Sequence, residues 1–392
     1  MPDGEQVEPA ERETVVPLEL FFDLVIVFAF TQVTTLMSAD PTWTGVAHGL
    51  LLLVALWWLW TGFARLTNAV DPEEGVVRMV MLGATAALLV VSLAAPRSFG
   101  RDAVIFAVAY AVARAFHVVL SAIAAGGDAV LRRETVRLIP NAVVASLLLL
   151  AGGLLAGPAR LGCWAAVAVI SYGGVLVNGD RGWQISPRHF VERFGQIILI
   201  ALGESIVAIG IGAKDLRLDT GVVAAALLGM TAIACLWWTY FDWVLYVVLA
   251  RFNKASPTEQ AGLARDVHAY LHSVMVAGIV LFAFGLKVAL HDTGHAPDVV
   301  PAAALTGGVA LYLVAHVALR VRIGGGLGRG RPIAAVVLLA AIAGAAHVPA
   351  LAALGMVATV CVALVAYEVL RHRDERARIR SRRGAVWAAD VQ

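Results

Sequence analysis

The chain has 392 residues, 60% of them apolar and only 15% charged, with a formal charge of +2 and a mean hydropathy of +0.81. Soluble globular domains run at about 45–50% apolar and about 25% charged, so that class is excluded and a polytopic membrane protein is implied. The lipid bilayer is then the first partner, and nothing in the charge calls for nucleic acid.

Met1 to Glu13 is acidic and polar, without the basic and apolar regions of a cleavable leader, and residues 1–16 read as a cytoplasmic segment. A helix needs about 20 residues to cross a hydrocarbon core about 30 Å thick. On that measure spans fall at 18–37, 45–64, 76–95, 101–124, 137–157, 161–179, 193–213, 221–249, 268–290, 299–322, 332–347 and 348–371. Breaker-rich links separate them, among them Asp40-Pro41, Asp71-Pro72, Gly126-Gly127, Asn178-Gly179-Asp180 and the Gly324–Gly330 run. The expected fold class is an all-α polytopic integral membrane protein of twelve transmembrane helices. Cys163, Cys235 and Cys361 fall within apolar runs, as small core residues do, and form no disulfide framework.

Orientation follows from Arg and Lys, which cytoplasmic loops retain. Arg65, Arg78, Arg132, Arg133, Arg188, Arg251, Arg265, Arg320, Arg329 and the Arg-rich tail fall on one side, against Arg97, Arg101, Arg160, Lys214 and Arg217 on the other. Both termini should be cytoplasmic, and the tail, residues 372–392, should rest against anionic headgroups.

The chain also repeats itself. At an offset of 173, residues 18–34 (LELFFDLVIVFAFTQVT) align with 191–207 (VERFGQIILIALGESIV), matching Glu19 with Glu192 and Phe21 with Phe194. Leu56–Trp58 answers Leu236–Trp238 in the following helices. Six spans separate the copies, an even number, so the halves 17–185 and 186–371 should be parallel six-helix repeats with a site at their interface.

Acids inside the spans mark the candidate site, because an ionised carboxylate at a helix centre costs about 2.5–3.5 kcal/mol on insertion scales. A rise of about 1.5 Å per residue puts Glu19 at the cytoplasmic edge, Asp23 about 7 Å inside it, and Gln32, Glu204 and Ser205 near the midplane. Asp242, His268, His272 and Arg114 lie at intermediate depth, and the set reads as a polar cavity entered from the cytoplasm, binding a proton, a cation or a small ligand. Glu19 and Asp23 share a helix face, so one of them should hold a proton more tightly unless a cation lies between them; Asp23 reads as a functional acid, with structural pairing to Arg65 or Arg78 as the alternative. Glu192, beside Arg193, can equally serve as a helix-terminal acid. Trp58 and Trp238 are interfacial anchors or the wall of an apolar or cationic subsite. His268 and His272 share a face, but no third ligand is fixed by spacing, so no metal is assigned.

Four blocks carry a family likeness: PLELFFDLVIVFAFTQ (17–32), LWWLWTGF (56–63), RHFVERFGQIILIALGESIVAIG (188–210) and HAYLHSVMVAGIVLFAFG (268–285). They resemble the bacterial low temperature requirement protein A family. The resemblance implies a multipass inner-membrane protein, nominally linked to growth in the cold, and supplies neither substrate nor oligomeric state. It departs at His272–Met275, where the family pattern leads one to expect a proline before the methionine, and with it a kink in the ninth span.

Three function classes follow. The leading one is a transporter or channel-like protein relaying a proton or cation through Glu19, Asp23, Glu204 and Asp242. The second is an intramembrane enzyme on a lipid or isoprenoid, starting from a buried acid against an aromatic wall; the third is a noncatalytic scaffold whose acids only pair helices. No Gly-rich phosphate loop, nucleophile elbow or zinc-protease helix is present, and no cofactor is expected.

Overall fold

A computed structural model describes residues 15–68, 70, 72–178, 186–214 and 216–371, without the side chains of 175–178. The acidic start through Thr14, the link beyond Asn178 and the basic tail 372–392 lie outside the described residues. Every element among the described residues is helical. In chain order they are α1 Pro17–Ala39, α2 Trp43–Leu66, α3 Gly75–Ala94, α4 Ala103–Ala125, α5 Ala129–Leu154, α6 Gly157–Asn178 and α7 Pro187–Ala213. There follow α8 Thr220–Phe241, α9 Val244–Asn253, α10 Pro257–Leu263, α11 His272–His291, α12 Val299–Arg322, α13 Gly330–Ala345 and α14 Ala350–Arg371.

Local sequence explains the boundaries. Pro17 sits in the first turn of α1, where its missing N–H costs nothing. Asp128 caps α5 by accepting from Val130 N–H at 2.7 Å, and Asp219 caps α8 from Val222 N–H at 2.9 Å. Ser256 and Glu259 close a capping box on α10.

Ten of the helical segments are long and apolar enough to cross a bilayer. The positions of the other two expected spans hold α6, of 22 residues, and α13, of 16. The eighth expected span is one apolar stretch, Thr220–Asn253, with a turn at Asp242 and Trp243 between α8 and α9. One expectation needs correcting. The ninth begins at Pro257 rather than His268, as α10 runs without interruption through a π-helical stretch, Ala264–Leu271, into α11. The kink expected of a proline near Met275 is thus replaced by a widened turn directly before His272. A π turn moves carbonyls off the i→i+4 ladder. Two are picked up by side chains: Val267 O by His272 Nδ1 at 2.8 Å and Ala269 O by Trp57 Nε1 at 2.8 Å.

The helices cluster into two compact units. The first comprises the chain up to Asp40, Thr44–Ile200 and Leu249–Ser273. In it α4 packs between α3 and α5, α5 on α6 and α1 on α3. Its core is aromatic, with Phe22, Phe30, Trp57, Trp60, Phe63 and Phe194 all buried. The second unit takes Pro41–Trp43, Ala201–Val248 and the chain from Val274 onward; there α12 packs on α13 and α14, and α14 on α8.

Small residues let two backbones of the second unit touch. A Cβ on Gly308 of α12 would lie 2.5 Å from Phe282 N and 2.6 Å from Gly278 O of α11, and one on Gly285 would lie 2.5 Å from Leu305 N. In lipid, where helices gain little from excluding apolar surface, such close backbone contact is a main source of association. Gly308→Ala should therefore cost about 1–3 kcal/mol as the helices are forced apart. Gly344→Ala in α13, whose Cβ would meet nothing within 4 Å, should leave the melting temperature of the detergent-solubilised protein unchanged or raised.

Candidate functional site

Glu19 and Asp23 occupy the first two turns of α1, and both are sealed, at 0% and 1% exposure. Facing them is the start of α7, where His189 and Arg193 stand at the same i, i+4 spacing and are 1% and 0% exposed. Arg193 binds Asp23 through both terminal nitrogens, Nη1 to Oδ2 at 2.5 Å and Nη2 to Oδ1 at 3.1 Å. This forked geometry is the strong form of a guanidinium–carboxylate bond. Trp60 Nε1 on α2 donates to the same Oδ1 at 2.9 Å, and its ring lies beneath the guanidinium at 5.9 Å. Arg193 Nε lies 3.6 Å from Glu19 Oε1, an ion pair just beyond hydrogen-bond reach.

Glu19 is held differently. Its Oε2 accepts Val16 N–H at 3.2 Å and meets His189 Nε2 at 3.0 Å. The other ring nitrogen, Nδ1, lies 3.1 Å from Asn68 Oδ1. With both imidazole nitrogens facing oxygen acceptors, two protons are needed across the two contacts.

Among the described residues, two carboxylates and one guanidinium meet in this sealed site, with the imidazole of His189 beside Glu19. The acids therefore form a closed knot rather than the wall of an open cytoplasmic cavity.

The cation for Asp23 is Arg193, not Arg65 or Arg78. Arg78 is exposed on α3, while Arg65 lies within electrostatic reach of Arg114 and Glu134. Sequence reading set Arg193 beside Glu192, but neighbours along a helix point apart. Glu192 turns back to Arg188 on its own helix at 3.4 Å, leaving Arg193 for Asp23. Arg114 donates to Asn141 Oδ1 at 3.3 Å, and Gln32 is half-buried farther along α1.

His268 and His272 also lie in the first unit, but outside the knot. Their rings stack at 4.9 Å within a box of Phe190, Phe194 and Phe252. Phe194 touches both Trp60, at 5.0 Å, and His268, at 4.7 Å, and so stands between the histidines and the charged cluster. Trp58 packs edge-on against Tyr172 and Tyr270 at 5.0 and 6.1 Å.

The remaining candidates belong to the second unit. Glu204 is 0% exposed and interacts electrostatically with Lys287 on α11, itself buried. The adjacent Ser205 hydroxyl is buried with no hydrogen-bond partner among the described residues. Asp242 is half-buried at the end of α8, where its N–H bonds Trp238 O at 3.1 Å, and Trp238 is half-buried too.

His189, Asn68 and the role of Trp60 were missed in the sequence. The overlooked signal was a pair of i, i+4 couples of opposite character, Glu19/Asp23 and His189/Arg193, both separated by 170 residues.

Residues 14–366 match the family model described as bacterial low temperature requirement A protein. An uncharacterized protein of Rhizobium meliloti (strain 1021) is 27% identical over 308 residues, covering 75% of this chain and 74% of that protein. No solved structure matches the chain.

Removing one partner of a buried ion pair costs about 3–5 kcal/mol, because the other is left uncompensated, whereas replacing both with apolar groups can be neutral. Arg193→Met should therefore melt far below the parent in detergent. Asp23→Leu combined with Arg193→Met should regain at least half of the loss; a double variant no better than Arg193→Met would show that the pair is not the seat of that energy.

Proposed function

The chain belongs to the bacterial low temperature requirement A protein family, and on that premise we propose that it is a transporter-like inner-membrane protein. Its proton-binding site is the Glu19–His189 bridge, and Asp23–Arg193 is the fixed counter-charge. The observation that carries this reading is the imidazole of His189 held between two acceptors, Glu19 Oε2 at 3.0 Å and Asn68 Oδ1 at 3.1 Å, in a sealed site with two carboxylates to one guanidinium.

Taking up the proton makes the cluster neutral; releasing it leaves a buried negative charge that only a replacement cation or access to water relieves. Ionisable groups inside membrane helices commonly serve proton relays for this reason. In the second unit, Glu204, Lys287 and Ser205 form a further polar group in the same class of environment, and they are the proposed second station for the transported ion or ligand. A divalent cation fits the first cluster less well, since Arg193 already occupies the carboxylate of Asp23.

The topology in this reading is twelve spans in two parallel six-helix repeats, with both termini cytoplasmic. Matching Glu19 to His189 and Asp23 to Arg193 runs the starts of α1 and α7 in the same direction. This supports an even number of crossings between them and hence a crossing role for α6. Acid-initiated catalysis on a lipid is less favoured, because both oxygens of Asp23 are already engaged as acceptors by Arg193, and one of them by Trp60 as well.

Proteoliposomes carrying the full chain and a trapped pH dye, driven by a potassium diffusion potential, test the reading. Glu19→Gln and His189→Gln proteins that melt near the parent temperature should lose proton flux by roughly tenfold or more, the scale of one positioned proton carrier, and Glu204→Gln should slow it too. Parent flux no greater than that of empty vesicles, or full flux in both Glu19→Gln and His189→Gln, would overturn it.

A further inference from the structure

The helix ends of the second unit enclose a feature that proton chemistry does not use. The C-terminal end of α12, the glycine-rich turn after it, the start of α13 and the C-terminal end of α14 surround a pocket of about 280 Å³. Its charged lining is Arg320, Arg329, Arg331, Arg371 and a single acid, Glu368. That acid is already engaged: Arg331 grips it through Nε at 2.7 Å and Nη2 at 3.3 Å, and Nη2 also bonds Thr239 O at 2.9 Å. Arg320, Arg329 and Arg371 have no ion pair among the described residues.

Three guanidinium groups with no ion pair among the described residues repel each other around one hollow, and a fold tolerates that where an anion or counterions join them. Basic residues at the ends of membrane helices are common by themselves; here one of them is also immobilised. The turn folds its backbone over Arg320. A Cβ on Gly325 would lie 2.7 Å from Arg320 Cγ, and one on Gly328, whose φ of +72° only glycine adopts easily, 3.0 Å from Nη1. Gly330 in turn packs beneath the ring of Tyr367, with a Cβ there 2.8 Å from Cδ1. The glycines thus hold one arginine stem and one side of the rim in place, which lowers the entropy lost when a ligand binds. Arg331, locked to Glu368, forms a fixed wall.

Planar guanidinium groups match phosphate oxygens two at a time. Three of them in a pocket of this volume suit a phosphate group better than a carboxylate, which offers fewer oxygens. The ends of three apolar helices also place the pocket at the depth of lipid headgroups. We infer that this pocket is a binding site for a phosphate monoester or diester, with Arg320, Arg329 and Arg371 as its ligands, and that it is independent of the buried acid cluster.

Two sources can supply that chemistry, a phospholipid headgroup or a soluble phosphate, and the test separates them. The full-length protein in neutral detergent is titrated with phosphatidic acid in mixed micelles, with phosphatidylcholine, whose phosphodiester charge is masked by its own choline cation, as the zwitterionic comparison, and separately with inorganic phosphate, following the melting temperature. A saturable rise with phosphatidic acid, absent with phosphatidylcholine, is the expected result. If inorganic phosphate gives the same saturable rise, the site takes soluble phosphate; if it gives none, the site takes the headgroup; both outcomes support the pocket. The midpoint should weaken by about tenfold or more in Arg320→Gln/Arg371→Gln, tenfold being a modest loss for two charge-assisted hydrogen bonds. An Arg132→Gln/Arg133→Gln protein, with two exposed arginines removed from the first unit, should titrate as the parent does. Equal weakening in both doubles would reduce the effect to general surface charge and overturn the site, as would the absence of any saturable rise. If the first double melts too low when unliganded, Arg329→Gln, on the exposed turn, replaces it under the same criteria.

Discussion

Among the described residues, the sealed site of Glu19 and Asp23 holds two carboxylates and one guanidinium, and satisfying those acids organises the first unit. Arg193 satisfies Asp23 with two bonds and Trp60 supplies a third, so what remains falls on Glu19 and its neighbour His189. The division of labour follows from geometry. One carboxylate accepts donors on both oxygens, while the other faces an imidazole. The aromatic shell of Trp57, Trp60 and Phe194 keeps water away and so strengthens both contacts. A forked salt bridge and an acid–imidazole contact thus sit side by side on the same pair of helices.

Much of this was legible in the sequence, because it depends on period and composition. Hydropathy alone places a helix at every expected span, and the acids at Glu19, Asp23 and Glu204 stand out against their apolar surroundings. What could not be read was partnership. Arg193 looked like a loop-side companion of Glu192, since sequence proximity suggests contact where helical geometry forbids it, and Arg65 and Arg78 looked available because nothing in a one-dimensional pattern shows which way α7 faces. His189 was passed over for the same reason: in the link between the expected spans 161–179 and 193–213, it reads as surface until α1 is laid alongside it. The π stretch before His272 was equally hidden. It is set by the carbonyl acceptors it frees for His272 and Trp57, and those contacts span 212 residues in the second case.

In the alignment at an offset of 173, Glu19 falls opposite Glu192, yet one is locked in a buried cluster while the other forms a local pair with Arg188 on the same helix. Conversely, the position of Glu204 aligns with Thr31, which spends its hydroxyl on Val27 O of its own helix at 3.2 Å. The two aligned stretches therefore carry unequal chemistry: a sealed acid–arginine–histidine group at the start of α1, and an acid–lysine combination deep in the second unit.

The glycine seam of α11 and α12 also constrains any route for solutes. Where Gly308 meets Gly278 and Gly285 meets Leu305, main chains rest against one another with no room for a methyl group. Neither an ion with its hydration shell nor an acyl chain can travel along that junction. Any conduit through the second unit must instead follow walls with removable side chains, and Lys287, on the same helix as the seam, marks the one flank of α11 already turned toward an acid.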